Sequence, residues 1–142
     1  MIVKTVVLPC GIAHAFALFT ERINEWWPDD RRHVDHPESV IALDATRFCE
    51  SDPSGKVVAL GAVRAWEPPE RLLLDFYPGT GPEHPTEVEV LFIAVGETTK
   101  VEVRHRAGAR SVELFPTAAP KYERSWTLVL RALERAAGGA AG

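Results

Sequence analysis

The chain has 142 residues, of which 46% are hydrophobic and 25% are charged, a composition that fits one domain with one hydrophobic core. Its 16 basic and 20 acidic residues give a net charge of −4, which argues against a general nucleic-acid-binding protein. No apolar run reaches the roughly 18 residues of a membrane-spanning helix, so no span is expected.

The first segment, Ile2–Leu8, is rich in β-branched residues and ends at Pro9, so it is predicted to be a strand. Its layout does not fit a signal peptide. Without a secretion signal, Cys10 and Cys49 are expected to be reduced thiols, and the protein is expected to be cytoplasmic.

Between Gly11 and Trp27 the hydrophobic residues recur every three or four positions, which predicts one helix or two short ones. Pro28 disfavours helical dihedral angles at Trp27, so the helical segment should end there. Neighbouring helical positions point about 100° apart, so the adjacent Trp26 and Trp27 cannot both face one narrow core. One indole is expected to pack inward, and the other is expected at a pocket rim or a subunit contact.

A long β region follows a polar loop at residues 29–37. Six strands with short connections are predicted, and such a series forms an antiparallel meander. Their expected bounds are Ser39–Leu43, Thr46–Glu50, Val57–Trp66, Arg71–Tyr77, Thr86–Val95 and Thr99–Ala107.

The C-terminal segment carries an amphipathic helical stripe, which favours a helix with one buried face. The stripe consists of Tyr122, Trp126, Val129, Leu130 and Leu133. Residues 138–142 are expected to form a flexible tail after a single domain at residues 1–137.

This element order predicts an α+β helix-grip fold. A curved, seven-stranded antiparallel sheet wraps around a long C-terminal helix, and one or two short helices follow the first strand. A gap between such a sheet and its helix forms a cavity lined by both. The competing interpretation is a cone-shaped α+β fold with N-terminal helices and a curved sheet. That fold usually ends on a strand, so the C-terminal stripe disfavours it.

Several motifs occur in an order that is fairly specific as a set, although each one alone is loose. They are Phe16–Phe19, "WWP" at Trp26–Pro28, Gly61-Ala62-Val63, "WEPPERLLLDF" at Trp66–Phe76, "TEVEVLF" at Thr86–Phe92, "TTKVEVRH" at Thr98–His105 and "YERSWTLVLRAL" at Tyr122–Leu133. In these motifs the chain resembles bacterial START-like (SRPBCC, Bet v 1-like) proteins related to the activator of Hsp90 ATPase. The resemblance implies the helix-grip fold and does not imply a co-chaperone activity. The chain departs from the family at Asp44-Ala45-Thr46-Arg47, where members often carry a glycine pair.

Aromatic residues and one histidine are the candidate lining of the expected cavity. His105 shares a strand face with Val101 and Val103, so it should lie on the inner, apolar face. There it could be a satisfied core residue, a hydrogen-bond donor to a ligand, or an acid or base. Plain core packing is likewise the alternative for the tryptophans. The candidate ligand-binding residues are Trp26, Trp27, Trp66, Phe76, Phe92, His105, Tyr122 and Trp126.

Strand alternation predicts that Asp75, Glu87 and Glu89 point outward. It also predicts that Arg64 and Trp66 share one face. Alternation leaves open whether Arg47 or Arg64 enters the cavity, and surface positions are the simpler expectation for both.

No metal or cofactor is expected. The segment His33–His36 contains residue types that bind zinc, but it lies in a polar loop without a further cluster of ligands. The sequence contains no Ser-His-Asp order, nucleophile elbow, phosphate-binding loop or dinucleotide fingerprint.

Three classes of function remain open at this point. The first is binding of a small hydrophobic or aromatic ligand in the cavity. The second is an enzyme of the cyclase, dehydratase or hydrolase type that uses the same cavity. The third is a protein-interaction domain of the co-chaperone type. A homodimer is also expected, because the adjacent tryptophans and the apolar edges of a curved sheet could form an interface, and two-fold dimers are the commonest oligomers.

Overall fold

A computed structural model describes residues 1–141. Seven antiparallel strands form one sheet in the order β1-β7-β6-β5-β4-β3-β2. The strands are β1 (Ile2–Leu8), β2 (Val40–Asp44), β3 (Arg47–Ser51), β4 (Val57–Glu67), β5 (Arg71–Phe76), β6 (Thr86–Val95) and β7 (Thr98–Arg106). After β1, which pairs with the last strand β7, the chain forms the predicted meander from β2 to β7.

Two short helices and a single 3-10 turn lie between β1 and β2. They are α1 (Ile12–Phe19), α2 (Ile23–Trp26) and the turn Asp29–Arg31. The long helix α3 (Phe115–Ala141) follows β7 and packs on the concave face of the sheet. The α+β helix-grip prediction is therefore confirmed, with two short helices rather than one. No helix among residues 1–141 is long and apolar enough to cross a bilayer.

Helix α3 begins seven residues before Tyr122 and is longer than its apolar stripe. It continues to Ala141, so it includes all but the last residue of the segment 138–142, which was expected to be a flexible tail. Gly142 lies outside the described residues.

The core lies between α3 and the concave face of the sheet. The inner face of β6 and β7 supplies Val88, Val90, Val101 and Val103, all of which are fully buried. All five residues of the predicted helical stripe are also buried: Tyr122, Trp126, Val129, Leu130 and Leu133. Apolar side chains at helical spacing thus meet alternating side chains of the sheet, and this burial is the main stabilising contribution.

The outer face of the sheet carries a network of ion pairs between neighbouring strands. Arg106 of β7 pairs with both Glu87 and Glu89 of β6, at 2.8 Å and 3.3 Å. Arg71 of β5 pairs with the same Glu89 at 2.7 Å. These contacts confirm that Glu87 and Glu89 point outward. Exposed single pairs contribute little, but shared carboxylates form a network with defined geometry.

Arg64 lies on the outer face, where it pairs with Asp75 and Glu87. Trp66 lies on the inner face, with its ring centroid 5.4 Å from that of Phe16. The prediction that these two residues share a face is therefore wrong. The register of β4 against β5 shifts between Val63 and Ala65, so Arg64 is the extra residue of a bulge, and the alternation reverses after it.

The β2–β3 turn contains Asp44, Ala45, Thr46 and Arg47, without a glycine. Asp44 accepts hydrogen bonds from the backbone N–H groups of Thr46 and Arg47, at 2.9 Å and 3.1 Å, and also pairs with the Arg47 guanidinium. Arg47 is exposed, so neither Arg47 nor Arg64 enters the core. An aspartate that accepts these local bonds stabilises the turn without glycine.

Replacing Leu133 by alanine should lower the free energy of unfolding by about 2–5 kcal/mol, because the side chain is fully buried, with 0% exposure. Leu128→Ala is the matched control on the same helix, since Leu128 is 36% exposed. It should cost about 0.5 kcal/mol or less. Urea denaturation measures both variants, and equal losses would contradict the described packing of α3.

Candidate functional site

A cavity of about 270 Å³ lies between the loop that follows α2, the loop that follows β5 and the first half of α3. Its apolar wall consists of Trp27, Phe76, Pro78, Tyr122, Trp126 and Val129. Its polar lining consists of Asp30, Arg31, Arg32, His33, Lys121 and Ser125. The volume is close to the lower end of the range for small-molecule sites, about 300–1,000 Å³.

The predicted site residues divide into two groups. Trp27, Phe76, Tyr122 and Trp126 line the cavity. Trp26, Trp66 and Phe92 belong instead to an aromatic cluster around Phe16 and Phe19 of α1. His105 lies directly behind the cavity wall, in contact with Phe76, Tyr122 and Trp126.

The adjacent indoles of Trp26 and Trp27 are both buried, but they lie in different parts of the structure. Trp26 packs against Phe19, and its Nε1–H donates to the carbonyl oxygen of Leu18 at 2.7 Å. Trp27 lies in the cavity wall, and its Nε1–H donates to the carbonyl oxygen of Arg31 at 3.3 Å. The end of α2 between these residues thus directs one indole to the core and the other to the cavity.

His105 is the centre of a continuous hydrogen-bond chain across the helix–sheet interface. The Trp126 Nε1–H donates to His105 Nδ1 at 3.0 Å. The imidazole therefore carries its own hydrogen on Nε2, which donates to Thr86 Oγ1 at 2.7 Å. The Thr86 hydroxyl in turn donates to the carbonyl oxygen of Phe76 at 3.2 Å. Each polar atom of this chain has a partner of the opposite type.

This arrangement keeps His105 neutral. Burial lowers the pKa of its imidazole from 6.5 to about 3. A second proton would have to bind at Nδ1, which faces the N–H donor of Trp126. The geometry therefore favours the first of the three roles considered for His105, that of a hydrogen-bonded core residue.

Tyr122 forms a second fixed element of the wall. Its hydroxyl donates to the carbonyl oxygen of Pro78 at 2.6 Å, and burial raises the pKa of the phenol. Gly79 has a φ of 88°, and a Cβ atom there would lie only 2.7 Å from Tyr122 Oη. Glycine is thus required at this position both by the backbone conformation and by the close approach of the hydroxyl.

Arg32 attaches the loop that follows α2, at residues 27–39, to α2 and to the residue before β2. Its Nη1 donates to Asn24 Oδ1 at 2.8 Å and to the carbonyl oxygen of Ser39 at 3.1 Å. Its Nη2 donates to the carbonyl oxygens of Asn24 at 2.9 Å and Trp27 at 3.2 Å. These bonds hold the backbone beside the Trp27 indole, so Arg32 contributes to the shape of the cavity.

Glu50 holds the same loop from the sheet side, and sequence reasoning did not single it out. Its fully buried carboxylate accepts hydrogen bonds from the backbone N–H groups of His33, at 2.7 Å, and Val34, at 3.1 Å. The available signal was strand parity, because Glu50 shares the inner face of β3 with Phe48. A buried carboxylate on an apolar face needs donors, and here the loop backbone supplies them.

The histidines of the loop do not come together as metal ligands. His33 lines the cavity, whereas His36 Nδ1 accepts a hydrogen bond from the backbone N–H of Glu38 at 2.9 Å. In the part of the chain that the structure describes, no group of three or more His, Cys, Asp or Glu side chains is placed to hold a metal ion.

Comparison with known proteins agrees with this architecture. The sequence profile described as "Activator of Hsp90 ATPase homolog 1-like protein" matches residues 11–138. The chain belongs to this family. It therefore lies within the SRPBCC, or Bet v 1-like, superfamily that its motifs resemble. No curated protein matches the chain.

Solved structures share the fold at low sequence identity. The self-sacrificing resistance protein CalC from Micromonospora echinospora is 22% identical, with a TM-score of 0.73, and the match covers 98% of this chain and 94% of CalC. CalU16 from the same organism is 18% identical, with a TM-score of 0.62 and coverage of 93% and 70%. The anthrahydroquino-γ-pyrone synthase Txn09 is 26% identical, with a TM-score of 0.56 and coverage of 94% and 86%.

The buried histidine predicts a defined pH dependence of stability. Because the folded-state pKa of His105 is below the unfolded value, the unfolded chain binds a proton first as the pH falls below 6.5. The resulting loss of stability is absent above pH 6.5 and grows as the pH falls to about 3. Between about pH 7.5 and pH 5.5, His105 should lower the free energy of unfolding by roughly 1.4 kcal/mol.

Urea denaturation at the two pH values tests this expectation in three proteins. His105→Gln keeps a donor and an acceptor but does not titrate. Its free energy of unfolding should therefore fall by roughly 1.4 kcal/mol less than that of the unaltered protein between the two pH values. His14→Gln is the control, because it removes an exposed imidazole from α1. If His105→Gln and the unaltered protein lose the same stability, His105 is not a buried neutral residue.

Proposed function

We propose that this protein binds a small, flat, aromatic or hydrophobic molecule in the cavity between its curved sheet and α3. The observation that carries the proposal is the composition of the cavity wall. Trp27 and Trp126 meet edge to face, with centroids 6.2 Å apart and planes at 87°. Phe76 lies beside Trp126 at a centroid distance of 6.0 Å. Such faces and edges favour offset or edge contacts with a further aromatic ring.

Binding is favoured over catalysis because the polar atoms behind this wall already have partners. The Trp126 Nε1–H is bonded to His105, and the Tyr122 hydroxyl is bonded to Pro78. An enzyme of the cyclase, dehydratase or hydrolase type would need polar groups that converge on the substrate. The apolar wall presents ring surfaces to the cavity. Among the described residues, no two of the polar side chains that line the cavity are hydrogen-bonded to each other, as a nucleophile and its base would be.

The structural neighbours support the choice of ligand class. Txn09, at 26% identity, is named as an anthrahydroquino-γ-pyrone synthase and was solved as a complex with a molecule designated SUM. Because this name is that of an enzyme, a catalytic use of the cavity is the second candidate function for this chain. The co-chaperone alternative rests on the family name alone.

The homodimer and the cytoplasmic location stay predictions. The adjacent tryptophans were one reason to expect a dimer, but both indoles are buried within the chain. An interface would therefore have to use other residues.

Binding can be tested with naphthamide, an uncharged two-ring aromatic amide. Its addition should change the tryptophan fluorescence, because Trp27 and Trp126 line the cavity. A dissociation constant between about 1 μM and 1 mM is expected for a ligand of this size. Ser125→Phe should weaken binding by about tenfold or more, since Ser125 lines the cavity and a phenyl group would occupy it.

Arg124→Phe is the matched control. It adds the same ring at the neighbouring, exposed position of α3, which does not line the cavity. Naphthamide binding that is equally strong in Ser125→Phe, or no binding by naphthamide and related one- to three-ring aromatics, would contradict the proposed function.

A further inference from the structure

The mouth of the cavity carries positive charge that hydrophobic binding does not use. Arg31 lines it from the 3-10 turn, and Lys121 lines it from α3. Within residues 1–141, neither side chain forms an ion pair. By contrast, all five arginines of the strands are ion-paired.

The guanidinium of Arg31 is incompletely hydrogen-bonded. Its Nε is buried and has no partner among the described residues. Its Nη1 reaches only the carbonyl oxygen of Asp30, at 3.5 Å, which is at the limit of a hydrogen bond. The Nη groups, which form only this one long bond, are the donors that an acceptor on a ligand would meet. The planar fork of a guanidinium suits the two oxygens of a carboxylate.

The other charges at the mouth leave it positive. Arg32 also lines the cavity, and its Nε is likewise buried without a hydrogen-bond partner, 3.6 Å from Asp29. Unlike those of Arg31, its Nη atoms are bonded to Asn24 and to the backbone. Asp30 is the carboxylate in the lining, and it is exposed and pairs with neither Arg31 nor Lys121. Three cationic side chains and one anionic side chain therefore surround the entrance to an aromatic cavity.

We propose that the ligand is an aromatic acid whose rings lie against Trp27 and Trp126 and whose oxyanion binds the guanidinium of Arg31. Lys121 adds attraction from α3. This inference rests on the proposed function, because it assigns a charge to the ligand of the same cavity. The carbonyl oxygen of Arg31 accepts the Trp27 Nε1–H, so the backbone that carries the Arg31 side chain is held next to the indole.

Naphthoate and naphthamide form a matched pair for the test, since they share a ring system and differ in the charge of the substituent. Isothermal titration calorimetry at low salt should show naphthoate binding about tenfold tighter than naphthamide. Arg31→Gln should weaken the binding of naphthoate about tenfold, the scale of one charge-assisted hydrogen bond. It should change the affinity for naphthamide less than twofold. The preference for naphthoate should also shrink at high salt.

Arg124→Gln is the control, because it removes the same charge from an exposed position of α3 away from the cavity. It should leave both affinities unchanged. Equal binding of the two compounds, or an equal effect of Arg31→Gln on both, would overturn the assignment of an acid and leave aromatic binding intact. Failure of both compounds to bind would overturn the proposed function itself. Urea denaturation of Arg31→Gln verifies that the variant is folded.

Discussion

The structure depends on one hydrogen-bond chain that crosses from helix to sheet. It runs from Trp126 through His105 and Thr86 to the carbonyl oxygen of Phe76, and thus joins α3 to β7, β6 and β5. Each link needs a donor on one side and an acceptor on the other, so the chain tolerates neither an added proton nor a missing partner. A fully satisfied network of this kind in a low-dielectric interior specifies one arrangement of the packed elements. The position of α3 over the sheet follows from it.

The cavity exists because α3 meets two different partners along its length. Near Leu133 the helix packs directly against the core, and that side chain has no exposed surface. Near Trp126 it faces a loop, which Arg32 and Glu50 hold through backbone groups rather than through apolar contacts. Hydrogen bonds to a backbone fix the position of a loop without filling the space beneath it. A gap beside aromatic rings is the consequence.

Much of the fold could be predicted from the sequence, because hydrophobic periodicity reports local structure. The bounds of β1 and β6 agree with the expected Ile2–Leu8 and Thr86–Val95, and the helical stripe is buried as expected. Alternation failed for Trp66, because a bulge at Arg64 inserts one residue before it. Periodicity also could not separate the aromatic residues around Phe16 from those of the cavity. It shows that a side chain faces inward, but not which part of the interface it meets.

The charges illustrate the same limit of sequence reasoning. On the strands, an arginine lies opposite a carboxylate because the register of antiparallel neighbours places it there, as for Arg106 and Glu87. Arg31 lies in a turn and forms no ion pair with another described residue, so its charge is available to a ligand in the cavity. The net charge of −4 therefore describes the average surface and not the mouth. Recognition of a ligand depends on the local field at a concave, low-dielectric site, where a few uncompensated charges outweigh a distant excess of the opposite sign.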